Sequence, residues 1–141
     1  MRRFSQFLKY SKQAMKSYIH WVSVSESVIY RKFSGPVTLD EMYDSWMHIL
    51  NMEEFTSMDF DLITDYTEAE ILTHPRELNV VEEFYRKHLS LMKGSRHGVV
   101  TGKPKATALS QLFAENGDVT KEIGYKIFTT LDAAVKWLNE H

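Results

Sequence analysis

The chain has no cysteine, which excludes a disulfide framework, a thiolate nucleophile and a zinc site built on sulfur. It has no apolar run near the ~18 residues that a membrane-spanning helix requires. Its N-terminus is basic, but no unbroken apolar stretch follows, so no secretory signal is read and a bacterial-type cytoplasmic location is expected. Net charge is also scarce. A formal value of -2 at pH 7 gives the molecule as a whole no electrostatic reason to bind nucleic acid or an acidic membrane. No repeat, low-complexity segment or second domain is visible.

Catalytic and metal-binding patterns are missing as well. There is no Gly-x-Ser-x-Gly elbow, and His20, His48, His74, His88, His97 and His141 form no compact ligand spacing. Glu53-Glu54 and Glu82-Glu83 are sequence neighbours, not facing carboxylates. Gly98-Val-Val-Thr-Gly-Lys-Pro104 has three residues between its glycines instead of four, and Pro104 stands where a phosphate loop needs a hydroxyl for magnesium. Pro104 suits the first turn of a following helix instead. The expectations are no enzyme, no metal and no cofactor.

What is present is a 43% hydrophobic, 13% aromatic composition, enough for one core. Residues 1–16 differ from the rest. Arg2, Arg3, Lys9, Lys12 and Lys16 are basic and no acid precedes Glu26. Phe4, Phe7, Leu8, Ser11 and Met15 form one stripe at helical spacing. This reads as a basic arm or covering helix, with contact to an anionic membrane surface as the sharper alternative. Residues 17–141 read as a single domain.

From Tyr18 the pattern is extended. Tyr18–Val24 and Ser27–Phe33 are rich in β-branched and aromatic residues and make a hairpin, which Gly35-Pro36 should stop. Thr38-Leu-Asp-Glu41 has capping-box spacing and opens a helix with Leu39, Met42, Tyr43, Trp46, Ile49 and Leu50 on one face. His48 falls on the other side, toward solvent. Met58–Thr64 predicts a third strand. Thr67-Glu-Ala-Glu70 is a second capping-box spacing, and His74-Pro75 limits any helix there to a short one. Arg76–Lys93 predicts a long helix, ended by Gly94, with Leu78, Val81, Tyr85, His88, Leu89 and Met92 on its apolar side. A strand at Arg96–Thr101, a helix at Lys105–Asn116, a strand at Ile123–Thr129 and a helix from Leu131 follow. This order predicts an α/β fold. Its five-stranded mixed sheet has an antiparallel hairpin followed by parallel β-α units and four main helices. The aromatics Trp46, Tyr85, Phe113, Phe128 and Trp137 read as core.

Several phrases resemble the SpoIIAA-like family, relatives of STAS domains. They are the hairpin Trp21–Phe33 with Gly35 and the helix Thr38–Leu50, the segment Phe60-Asp-Leu-Ile-Thr-Asp65, and the closing Phe128–Leu138 with its Ala-x-x-Trp-Leu core. The resemblance spans about residues 17–141. It implies a regulatory domain that binds a protein partner, and in STAS proteins the switch is phosphorylation of a Ser or Thr after the central strand. Thr67 stands at that place, in Asp65-Tyr66-Thr67-Glu68, which lacks the family's Ser-Gly; from its own spacing Thr67 reads as a helix cap. Homodimerisation through an uncovered sheet face or edge is a further expectation. The alternative function is a carrier for a small apolar, lipid-like ligand, which calls for an enclosed apolar pocket with a few polar groups at its mouth.

In open α/β sheets ligands meet the carboxyl ends of parallel strands. The candidate site residues are accordingly Asp65, Tyr66 and Thr67, then Thr101 and Lys103, then Thr130. Thr, Asp and Gly at strand ends are equally ordinary turn and cap residues.

Overall fold

Six strands pair in the order of the chain: β1 (Leu8–Lys12), β2 (Tyr18–Ser23), β3 (Val28–Val37), β4 (Asp61–Ile71), β5 (Arg96–Val100) and β6 (Gly124–Phe128). The β1–β2 and β2–β3 pairs are antiparallel, and β3–β4, β4–β5 and β5–β6 are parallel. The computed structural model describes residues 8–12, 17–23, 25–53, 55, 60–116 and 118–140. Strands β2 to β6 are the five expected from the sequence, and the mixed α/β architecture is the expected one. β1 is additional. Over Leu8–Lys12 the anticipated helical turn is replaced by an edge strand, bulged between Lys9 and Ser11. The open backbone edge of β2 offers a row of hydrogen-bonding groups, and that row outweighs one short apolar stripe. Phe4, Phe7 and Met15 lie outside the described residues.

The helices are α1 (Leu39–Leu50), α2 (Leu78–Lys87), α3 (Leu89–Met92), α4 (Pro104–Asn116) and α5 (Leu131–Asn139). Each parallel crossover advances the sheet by one strand in the same direction, so right-handed connections place α1, α2 and α4 on a single face. That face holds the larger core, where Ile29, Ile49, Met52, Phe60, Leu62 and Met92 are fully buried. α5 follows the last strand and covers the other face, with Ala134 and Leu138 against Val28, Ile63 and Val100. It packs close over Gly98, where a Cβ would meet Ala134 and Phe128 at an ordinary contact distance of 3.6 Å.

Local chemistry explains the boundaries. Thr38 caps α1 in a complete capping box with Glu41, Pro104 opens α4, and Gly94 leaves α3 at φ +95. The long helix expected at Arg76–Lys93 is divided at His88, whose ring lies 4.6 Å from Phe84. Two strands overrun their expected ends. β3 continues through Gly35 (φ +70) and Pro36 to Val37, because β4 extends alongside it and pairs Gly35, Pro36 and Val37 with Ala69, Glu70 and Ile71. β2 begins only opposite Phe33, so Pro36 sits at an edge where its missing N–H costs nothing.

Thr67 is consequently neither a helix cap nor the start of a short helix. It belongs to a bulge in β4, where the register passes from Lys32–Asp65 to Ser34–Glu68. The extra residue leaves a backbone N–H without a ladder partner. The Asp65 carboxylate takes that proton, at 2.9 Å from Thr67 N, and accepts the Thr67 hydroxyl at 2.6 Å. The chain turns into helix only after His74, whose Nδ1 accepts from Arg76 N over a 3-10 turn at Pro75–Glu77.

Candidate functional site

The six strand-end candidates are divided between the two faces. Asp65 is buried and its carboxylate is occupied internally, by Thr67 and by the Tyr30 hydroxyl at 2.6 Å. Thr101 is buried with its Oγ1 2.8 Å from that of Thr107, and the carbonyl of the exposed Lys103 accepts the Thr107 hydroxyl. Thr101, Gly102 and Lys103 line a shallow groove with Thr129 at the start of α4, and Thr67 backs onto Gly102. Thr130 is the N-cap of α5, accepting from Ala133 N at 3.2 Å. Tyr66 points the other way, to the α4 side of the sheet, where it packs in a second cluster with Phe33, Ala106 and Leu109.

On that face lies a cavity of about 100 Å³. Its floor is the sheet, through Arg31, Tyr66 and Tyr125, and its walls come from α1, α2 and α4. Trp46, Phe84, Tyr85 and Phe113 line the walls in a chain of tilted and edge-on rings, with Tyr85 5.3 Å from Trp46 and 5.0 Å from Phe113. Tyr43 and Val80, each 52% exposed, form its rim. Of the aromatics read as core from the sequence, Trp46, Tyr85 and Phe113 are buried and bound this space too, while Phe128 and Trp137 pack partly buried against the cluster under α5.

The sequence reading passed over the residue that gives the floor its character. Arg31 is only 3% exposed. On β3 it alternates with Ile29 and Phe33, both completely buried, so the pleat turns it inward. That alternation was the available signal, since an arginine flanked at two residues on each side by inward apolar residues shares their face. Arg31 Nε donates to Thr64 Oγ1 at 2.8 Å and Nη1 donates to Ser45 Oγ at 3.1 Å. The guanidinium lies 4.7 Å from the Trp46 ring centre and 5.3 Å from that of Phe33. Among the described residues it makes no ion pair with a carboxylate.

A buried polar row surrounds it. His20 is opposite Arg31 on β2 and Thr64 opposite on β4. Ser45 Oγ, 2.8 Å from His20 Nε2, accepts from Arg31 and has one proton left to give to the imidazole. Burial holds His20 neutral, with its pKa lowered from 6.5 to about 3, assisted by the positive charge of Arg31 and by His48. His97 is lowered to about 3 by the same causes, burial first and Arg31 second. Its ring stacks on Trp46 at 5.4 Å, and neither ring nitrogen has a hydrogen-bond partner among the described residues. Burial pushes the Tyr66 and Tyr125 hydroxyls up, against the opposing pull of Arg31. His48, expected in solvent, is half-buried with its ring 5.4 Å from His20. It lies one turn beyond Ser45 and shares that side of α1.

No family model matches the chain, and no curated protein matches it. Among solved structures it is similar to an uncharacterised DUF3478-family protein with a SpoIIAA-like fold from Shewanella loihica PV-4. The TM-score is 0.58 at 13% identity, and the match covers 92% of this chain and 99% of that one. No helix among the described residues is long and apolar enough to cross a membrane. The singly wound sheet, its antiparallel opening and its closing helix agree with that match: the chain has a SpoIIAA-like fold.

Proposed function

We propose that the protein binds a small, largely apolar molecule in the cavity between the sheet and α1, α2 and α4. One observation carries the reading. A half-open pocket of about 100 Å³ lies between the sheet and the helices, walled by aromatic rings and opening to the surface between Tyr43 and Val80. Apolar cavities of comparable size take up benzene-sized guests. The described lining offers hydroxyls and one guanidinium but neither a carboxylate nor an imidazole, a set suited to holding a molecule rather than to moving protons through it. The guanidinium lies on the floor, and the Tyr43 side chain brings a hydroxyl to the mouth.

A regulatory role through phosphorylation draws less support from the geometry. The Thr67 hydroxyl is bonded to Asp65 within a strand bulge, and a phosphate there would face that carboxylate at close range.

The test is titration with the normal alcohols from 1-butanol to 1-hexanol, followed by the methyl resonance of Met42, which lines the cavity. Saturable shifts are expected, and Ala106→Phe, which fills the space from α4, should abolish them. Absence of any shift at a lining residue across the series would overturn the proposal.

A further inference from the structure

We infer that the molecule bound in this cavity is a small monocarboxylate, taken up head-first so that its carboxylate pairs with Arg31 and its apolar body points to the mouth. The inference rests on the reading of the cavity as a ligand site and adds the charge and the orientation of the ligand.

Arg31 is a permanently charged group at the centre of an apolar face. A guanidinium has five N–H donors, of which Nε and one Nη1 proton are given to Thr64 and Ser45. Nη2 donates to no described residue, and the side chain borders the cavity. Neutral hydroxyls and ring faces solvate a cation but do not cancel its charge, and a charge removed from water without a counter-ion is costly. Among the described residues no carboxylate is within ion-pair distance of Arg31; Asp44, whose charge reaches His20 and Tyr18, is engaged by the Tyr18 hydroxyl at 2.6 Å. His20 and His97 are neutral or cationic, and Tyr66, Tyr85 and Tyr125 are kept in the neutral phenol form by burial. The one charge the floor calls for is therefore negative, and the described residues do not supply it.

The geometry narrows the class further. The planar fork of arginine matches a carboxylate through two parallel hydrogen bonds. Tyr66, on the adjacent strand and lining the same floor, adds a hydroxyl donor. A single cation neutralises a monoanion, whereas a phosphate monoester would bring a second charge into aromatic walls. The volume of about 100 Å³ suits a short or branched alkanoate or a one-ring acid, below the size of a long-chain lipid. Because Arg31 is on the floor and Tyr43 and Val80 are at the rim, the acid group enters first.

The experiment compares matched acids and alcohols, butanoate to hexanoate against 1-butanol to 1-hexanol, at pH 7 on the full chain, by calorimetry and by the Met42 methyl shift. Each acid is expected to bind at least about tenfold more tightly than its alcohol. Arg31→Met should remove that advantage while the alcohols still bind, and Arg31→Lys, which keeps the charge and loses the fork, should keep part of it. Equal binding of acids and alcohols by the unaltered protein would overturn the inference and leave the cavity reading intact. Binding of neither series would overturn both.

Discussion

Two arginines on the same sheet live in opposite surroundings. Arg96, on β5, is held from every side: Nη2 reaches Asp61 Oδ2 at 2.8 Å and the Leu138 carbonyl at 2.8 Å, and the guanidinium sits over Trp137. The Leu138 carbonyl belongs to the end of α5, where the helix dipole favours a cation. Even the neighbouring strand makes room, because a Cβ on Gly124 would come within 2.9 Å of Arg96 Cγ. Arg31 is more deeply buried, yet it has two hydroxyls, two ring faces and no acid. The contrast teaches that this fold equips an arginine with a counter-charge where the arginine is structural. The one with no such partner among the described residues borders the aromatic cavity.

The comparison can be broken most forcefully at Arg96. Arg96→Met leaves Asp61 half-shielded without its cation and frees the Leu138 carbonyl, so urea unfolding should show a loss of about 2–3 kcal/mol. A loss below about 0.5 kcal/mol would mean that the pair is ornamental and that the contrast with Arg31 has no content.

The polar row beneath α1 gives the next effect. His20 and His97 have folded-state pKa values of about 3 against an ordinary 6.5. Between those limits the unfolded chain binds protons that the folded chain refuses, so stability is complete above pH 6.5 and declines as pH falls toward 3. Each site contributes a slope of up to about 1.4 kcal/mol per pH unit. His97→Phe should flatten the acid limb of the stability–pH curve by roughly one proton's worth. An unchanged slope in that variant would show that His97 is protonated without penalty in the fold.

Gly124→Ala should cost about 1 kcal/mol by crowding the stem of Arg96, measured by thermal unfolding, and no change would mean that the stem shifts aside. The smallest effect is expected at Arg31 itself. Replacing an unpaired buried charge by an apolar side chain is often neutral or stabilising, so Arg31→Met should stay within about 1 kcal/mol of the unaltered protein. A loss as large as that of Arg96→Met would make both arginines structural and dissolve the comparison.

The fold was legible because its signals are local and periodic. Two-fold alternation in Tyr18–Ser23 and Val28–Phe33, the capping box at Thr38, and Pro104 and Gly94 at helix boundaries all act over a few residues. What failed depended on partners distant in sequence. Thr67-Glu-Ala-Glu70 has the letters of a helix start, but the extension of β3 past Pro36 supplies a pairing edge that makes it strand. Leu8–Lys12 became strand for the same reason, the vacant edge of β2. At the site, strand-end logic selected Tyr66 for its place in the chain, and the structure puts it on the cavity floor for another reason, its inward face before the bulge. Arg31 went unnoticed within a strand read for its apolar residues, yet the pleat sends Lys32 out to Glu68 and Arg31 into the core.

The direct test of the account is a crystal structure grown with hexanoate. The carboxylate is predicted on the sheet floor, both oxygens about 2.8 Å from the guanidinium nitrogens of Arg31, with the alkyl chain running past Trp46 toward Val80. A hexanoate lying tail-first with its acid group in solvent, or a cavity with no ligand density at saturating concentration, would contradict it.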